Sequence, residues 1–168
     1  MNCVVVNDAS CLIDLRKGQL LHVLCKLPYR FIVPVPIRES ELLDFTELEW
    51  RLLEDDGMET YDLPPDRMAE VFSVKSQITR LSANDCICLV ATQCQDEGIL
   101  LTGDRLLRRV ATEKAVRVHG VLWIIDELKA AGVCGDDLLI GALEIWRDDK
   151  AVFLPLEELN RRLRRLRR

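Results

Sequence analysis

The feature that most constrains this chain is a rhythm: short apolar runs, too brief to be buried helices, alternate with stretches of helical periodicity. Residues 3–7 (CVVVN), 29–35 (YRFIVPV), 99–102 (ILLT) and 115–118 (AVRV) read as strands, and 58–63 as a further short extended piece. Helical patterns cover about residues 10–24, 36–53, a segment after Pro64-Pro65 ending near Arg80, and a helix from Ser82 that Gly98 is expected to close. Others span 104–113, 121–131 with Gly132 as its stop, 136–147, and Pro155 onward. Strand-helix units of this kind feed a parallel sheet. The expected fold class is therefore α/β: a three-layer α/β/α sandwich with four or five mostly parallel strands and a helical carboxy-terminal extension. At 168 residues and 49% hydrophobic composition the chain can bury one sizeable core, and no segment approaches the roughly 18 apolar residues of a membrane span.

Charge narrows the partners. The formal net charge is -5, yet residues 161–168 (RRLRRLRR) hold six arginines; without them 17 basic residues face 28 acidic ones, a body of -11. A body that acidic does not attract nucleic acid through its overall field, so such a partner must be engaged by the tail, by local basic clusters or through bound cations. The seven cysteines suggest neither a disulfide framework nor a zinc site: their number is odd, no C-x-x-C occurs, and His22 and His119 are the only histidines. Most lie among Val, Leu and Ile, where cysteine behaves as a small buried hydrophobe. The opening MNCVVVNDAS lacks the basic and long apolar regions of a signal peptide, which makes the reducing cytoplasm the expected compartment.

In open α/β sheets, ligands gather at the carboxyl ends of the strands, near the point where strand order reverses. Asp8 follows the first apolar run, Asp104 follows ILLTG, and Asp85 opens the helix that leads into ILLT. The helix expected from Pro36 adds Glu39 and Glu41, which point in nearly opposite directions at 3.6 residues per turn. Ile37, Phe45, Leu48 and Leu52 share the helical face of Glu41, so Glu41 is expected within the apolar stripe. Each acid also has a plainer role: Asp8 supporting a turn, Asp85 completing a capping box with Ser82, Asp104 capping the following helix. Four carboxylates at one sheet edge repel one another unless cations neutralise them. All-oxygen ligation selects Mg²⁺ or Mn²⁺, ions that polarise a phosphodiester and activate water. Competing phosphate chemistries leave no trace, since G-x-x-x-x-G-K-[ST], G-x-G-x-x-G and G-x-S-x-G are all missing and Asp8-Ala9-Ser10 lacks the second aspartate of a D-x-D motif.

Four segments in order, VVVNDASCLIDL, VPIRESELL, LSANDCICLVATQ and ILLTGDRLLRRVA, spread over about residues 3–125, resemble the PIN-domain ribonucleases, a family that includes VapC-type toxins. The resemblance implies catalytic, metal-binding acids at Asp8, Glu41, Asp85 and Asp104, with Ser10 and Thr102 in supporting positions. Registering the second segment on Pro34 rather than Pro36 would select Glu39; helix-face geometry and the following Leu42 favour Glu41. The activity implied by the resemblance is that of a Mg²⁺- or Mn²⁺-dependent endoribonuclease, in which metal-activated water attacks the phosphorus of RNA. For a toxin, an antitoxin protein is a further partner, and the family habit implies a homodimer. A catalytically silent PIN-like binding or regulatory module is the second reading.

Arg105, Arg108 and Arg109 come directly after Asp104 and are candidate substrate-binding residues; the plainer alternative is an exposed helix face. On this division residues 1–150 form the nuclease domain and 151–168 an arginine-rich helical tail whose Leu163 and Leu166 make a narrow apolar ridge. Contact with RNA phosphates, docking on the acidic body of a second subunit and partial disorder are all open to that tail.

Overall fold

The apolar runs become strands because helices cover both faces of the sheet they form, so even consecutive residues are buried. In the computed structural model, which describes residues 3–168, five strands form one all-parallel sheet of order β3-β2-β1-β4-β5. They are β1 (Val4–Asn7), β2 (Arg30–Pro34), β3 (Glu59–Tyr61), β4 (Gly98–Leu101) and β5 (Arg117–His119). Val5, Val6, Phe31, Ile32, Ile99 and Leu100 of the inner strands are essentially inaccessible to solvent. The edge strands β3 and β5 are more open. Met1 and Asn2, the start of the segment read for a signal sequence, lie outside the described residues. Among the described residues no helix is long and apolar enough to cross a membrane.

The chain builds β1, β2 and β3 outward in one direction, then returns to place β4 on the other side of β1. The reversal of strand order therefore falls between β1 and β4, whose carboxyl ends lead into Asp8 and Thr102. Ten α-helices accompany the strands among the described residues: α1 (Ala9–Lys17), α2 (Leu21–Leu24), α3 (Val35–Ser40), α4 (Glu47–Asp55), α5 (Met68–Gln77), α6 (Ala83–Gln93), α7 (Arg105–Glu113), α8 (Val121–Ala131), α9 (Asp136–Asp148) and α10 (Leu156–Leu166). α6 lies against β1, β2 and β4 with α5 and α7 beside it, while α1, α8 and α9 pack on one another and α10 covers α9.

Three expectations about helices need correction. The helix expected over 10–24 is broken into α1 and α2 at Gly18, whose position is crowded by the Trp146 ring, and Gln19, which has a left-handed φ of 58°. The helix expected over 36–53 is likewise two. Thr46 starts α4 afresh through a capping box: its hydroxyl accepts the Glu49 N–H at 3.2 Å while the Glu49 carboxylate accepts the Thr46 N–H at 2.7 Å. With the helix interrupted, the common stripe dissolves: Ile37 and Phe45 are buried, but Leu48 is 66% and Leu52 56% exposed. Glu41 caps the end of α3 and is exposed, instead of lying in an apolar stripe. Finally, Gly98 does not close a helix. α6 ends at Gln93, and Gly98 begins β4.

The seven cysteines are all free thiols; Cys11, Cys86 and Cys88 are buried and the others are half-buried. The arginine-rich segment is helix α10, folded onto its own chain. Leu159, Leu163 and Leu166 are buried. Arg162 bridges Asp126 (2.6 Å) and Glu158 (3.1 Å), Arg165 also reaches Asp126 at 2.6 Å, and Arg167 pairs with Glu144.

Candidate active site at the carboxyl edge of the sheet

Asp8 sits where β1 hands over to α1 and is only 5% exposed. Its Oδ1 accepts the Ala9 N–H at 2.8 Å, capping α1. Its Oδ2 accepts two hydroxyls, Thr102 Oγ1 at 2.7 Å and Ser10 Oγ at 3.2 Å. Each hydroxyl is itself held by a backbone N–H of the loop after β4: Gly103 donates to Ser10 Oγ at 3.0 Å, and Asp104 donates to Thr102 Oγ1 at 3.1 Å. Two relays thus tie the ends of β1 and β4 together and fix the plane of one carboxylate. Burial pushes the Asp8 carboxyl above the usual range and the nearby Asp85 charge adds to that, while the two hydroxyls and the Ala9 N–H oppose it.

Asp85 enters from the first turn of α6. Its Oδ2 accepts the Ser82 N–H at 2.9 Å and Ser82 Oγ accepts the Asp85 N–H at 3.0 Å, the capping box expected from the sequence. Asp104 caps α7 in the same manner, its Oδ1 accepting the Leu107 N–H at 2.8 Å. Each cap occupies a single carboxylate oxygen. Glu41, exposed overall, faces the same edge from the end of α3: partial loss of water around its carboxyl raises its pKa, the Asp8 and Asp85 charges raise it further, and Asn84 opposes them. Asn84 also donates to Ser40 Oγ at 3.0 Å, drawing the end of α3 toward the start of α6. The sequence reading missed Asn84, whose only signal was its place beside Asp85.

The structure therefore brings Asp8, Glu41 and Asp85 within electrostatic reach of one another, with Asp104 joined to Asp8 through Thr102. Among the described residues, however, no group of three or more His, Cys, Asp or Glu side chains is close enough to hold a metal ion. Two of the carboxylates, Asp85 and Asp104, fold back onto their own helix caps. The donor chemistry nevertheless fits a hard divalent cation, since all four side chains offer carboxylate oxygen and the buried Asp8 is short of positive charge.

The three arginines of α7 part company. Arg105 and Arg109 are exposed, Arg109 in a loose 3.9 Å pair with Glu113. Arg108 turns inward, and its Nη1 donates to the Thr102 carbonyl at 3.4 Å. Gly120 makes room for it, because a Cβ there would lie 2.6 Å from that nitrogen.

A family model described as a PIN domain matches residues 4–168, α10 included. No curated protein and no solved structure gives a match.

Proposed function

The chain belongs to the PIN-domain family, whose members are typically nucleases, and from that premise we propose a Mg²⁺- or Mn²⁺-dependent endoribonuclease with Asp8, Glu41, Asp85 and Asp104 as its acidic centre. The observation that carries the proposal is the pair of hydroxyl relays that hold the buried Asp8 at the point where strand order reverses. A carboxylate aligned by neighbours before any ligand arrives loses little freedom on binding, which is what a catalytic metal ligand requires.

Each residue then has a role of its own. Asp8 is the fixed ligand; Asp85 and Asp104 each keep an oxygen beyond the one used for capping; Glu41 closes the set from α3. The helix-face argument that selected Glu41 over Glu39 fails with the broken helix. Glu41 is retained because the charges of Asp8 and Asp85 reach it. A bound Mg²⁺ or Mn²⁺ would supply Lewis acidity toward the phosphodiester and lower the pKa of water. Ser10 and Thr102 orient the Asp8 carboxylate. The exposed Arg105 and Arg109 lie on α7 directly after Asp104, suited to phosphates flanking the one being cut. An acidic body is compatible with an RNA substrate on these terms, and an RNA substrate fits a cytoplasmic protein. A toxin role, an antitoxin partner and a homodimer rest on the resemblance to the toxins.

Incubating purified protein with a mixed RNA pool, with Mn²⁺, with Mg²⁺ and with chelator, tests the proposal. Cleavage that needs either ion and disappears in Asp8→Asn is expected. RNA binding without cleavage under every condition would replace the enzyme by the silent module.

A further inference from the structure

Beyond Thr102 the sheet edge continues into a group of rings that the acidic centre does not use. The His119 carbonyl, at the end of β5, accepts the Thr102 N–H at 3.0 Å. The His119 ring stacks on Trp123, in the first turn of α8, with centroids 4.4 Å apart and planes 12° from parallel. Tyr29 packs on Trp123 at 5.4 Å, and its hydroxyl is engaged by Glu127, the acid that faces the cluster from α8. Arg108 lies against Gly120, in the turn joining β5 to α8. Burial pushes the His119 imidazole below its usual range, the charges of Arg117 and Arg108 add to the shift, and Glu127 opposes it.

The cluster packs against the core on one side and stays half-exposed on the other. Trp50 and Trp146 are 5% and 1% exposed, whereas His119 at the end of β5, Trp123 on α8 and Tyr29 just before β2 remain partly in solvent. Flat rings next to cations, in line with a phosphodiester-cutting centre, are what single-stranded nucleic acid binds: bases stack on the rings and phosphates meet the arginines. A duplex keeps its bases stacked inside and cannot use such a surface.

Resting on the nuclease reading above, we propose that the β5–α8 flank is a stacking strip for single-stranded RNA, in which His119 and Trp123 hold an unpaired base beside the phosphate at the acidic edge. Arg108 is the hinge between the two parts. It touches the Thr102 carbonyl on one side and the β5–α8 turn on the other.

The test uses the full chain carrying Asp8→Asn, so that RNA is bound and not cut. Three probes of about 12 nucleotides suit the usual span of such sites: oligoadenylate, an abasic ribose-phosphate chain of equal charge, and duplex RNA. Oligoadenylate is expected to quench tryptophan emission and to bind roughly tenfold more tightly than the abasic chain, the value of about one stacked base. Adding Trp123→Leu is expected to remove both the quench and that advantage; His119→Ala should weaken binding several-fold and His119→Phe restore it. Should Trp123→Leu fail to fold, the abasic comparison and the His119 pair still decide the matter. Equal affinity for oligoadenylate and the abasic chain, or no effect of the ring substitutions, overturns the strip. If the unaltered chain still cleaves RNA in that case, the nuclease reading stands alone; if it neither binds nor cleaves, both fall.

Discussion

One hydroxyl, that of Thr102, donates to Asp8 and accepts the Asp104 N–H, so its loss uncouples two acids at once. Thr102→Val keeps the shape and removes both bonds. Cleavage by this variant is expected to fall about 10- to 100-fold, the range typical of groups that orient a metal ligand, while Thr102→Ser stays near the unaltered rate; single-turnover assays check this. Stability should drop by about 1–3 kcal/mol because the buried Asp8 carboxylate loses a donor. Asp14 poses a different question. Burial lifts its carboxyl from the ordinary 3.8 to about 6, with Lys17 opposing and Asp149 adding to the rise. An acid whose folded pKa lies above its unfolded value is disfavoured when charged, so the fold loses stability as pH rises from about 4 to about 6 and regains it as pH falls. Asp14→Asn is therefore expected to raise stability at pH 7 by about 1 kcal/mol, less than the full shift implies because the group is partly in water. Below about pH 4 the same substitution should change little. Denaturant unfolding at both pH values checks it, and an equal gain at each would mean that charge burial is not the cause.

The start of β4 makes the element scale concrete. Gly98 passes so close to the last turn of α6 that a Cβ would lie 2.4 Å from the Thr92 carbonyl oxygen. Backbone cannot step aside as a flexible side chain does, so Gly98→Ala is expected to cost about 3 kcal/mol, readable as a lower midpoint in thermal unfolding. The sequence offered that glycine as a helix stop, because a glycine after a helical pattern has that meaning more often than a close crossing. Elsewhere local signals were enough. Ser82-x-x-Asp85 announced its capping box, and Gly132, with φ 62°, ends α8 where its pattern ends. The break before α4 was legible too, in Thr46-x-x-Glu49, but the periodicity of Ile37, Phe45, Leu48 and Leu52 hid it. Periodicity assumes an unbroken helix, and that assumption placed Glu41 on a buried face. The acids at the strand ends were readable because each follows an apolar run. What holds them was not: the hydroxyl relays between Asp8, Ser10 and the loop after β4, and the contact of Asn84 with Ser40, join segments distant in the chain.

For the whole molecule, the question raised by RRLRRLRR is answered in part by the chain itself. Arg162, Arg165 and Arg167 are spent on Asp126, Glu158 and Glu144, and three leucines of α10 are buried. Deleting residues 156–168 would uncover the surface beneath them, and at about 1.5–3 kcal/mol for each buried leucine the loss approaches the stability of a typical domain. The shortened chain is expected to unfold many degrees lower or to aggregate; an unchanged midpoint would make the segment an appendage. At the carboxyl edge of the sheet the charges of Asp8, Glu41 and Asp85 reach one another with no arginine of α10 to offset them, and a divalent cation would relieve them. Calorimetric titration of Mn²⁺ into the unaltered chain and into Asp8→Asn tests this most directly. Saturable binding by the unaltered chain, weakened at least about tenfold by Asp8→Asn, is the expected result; no binding, or equal affinity in the two proteins, would contradict a metal centre built on Asp8.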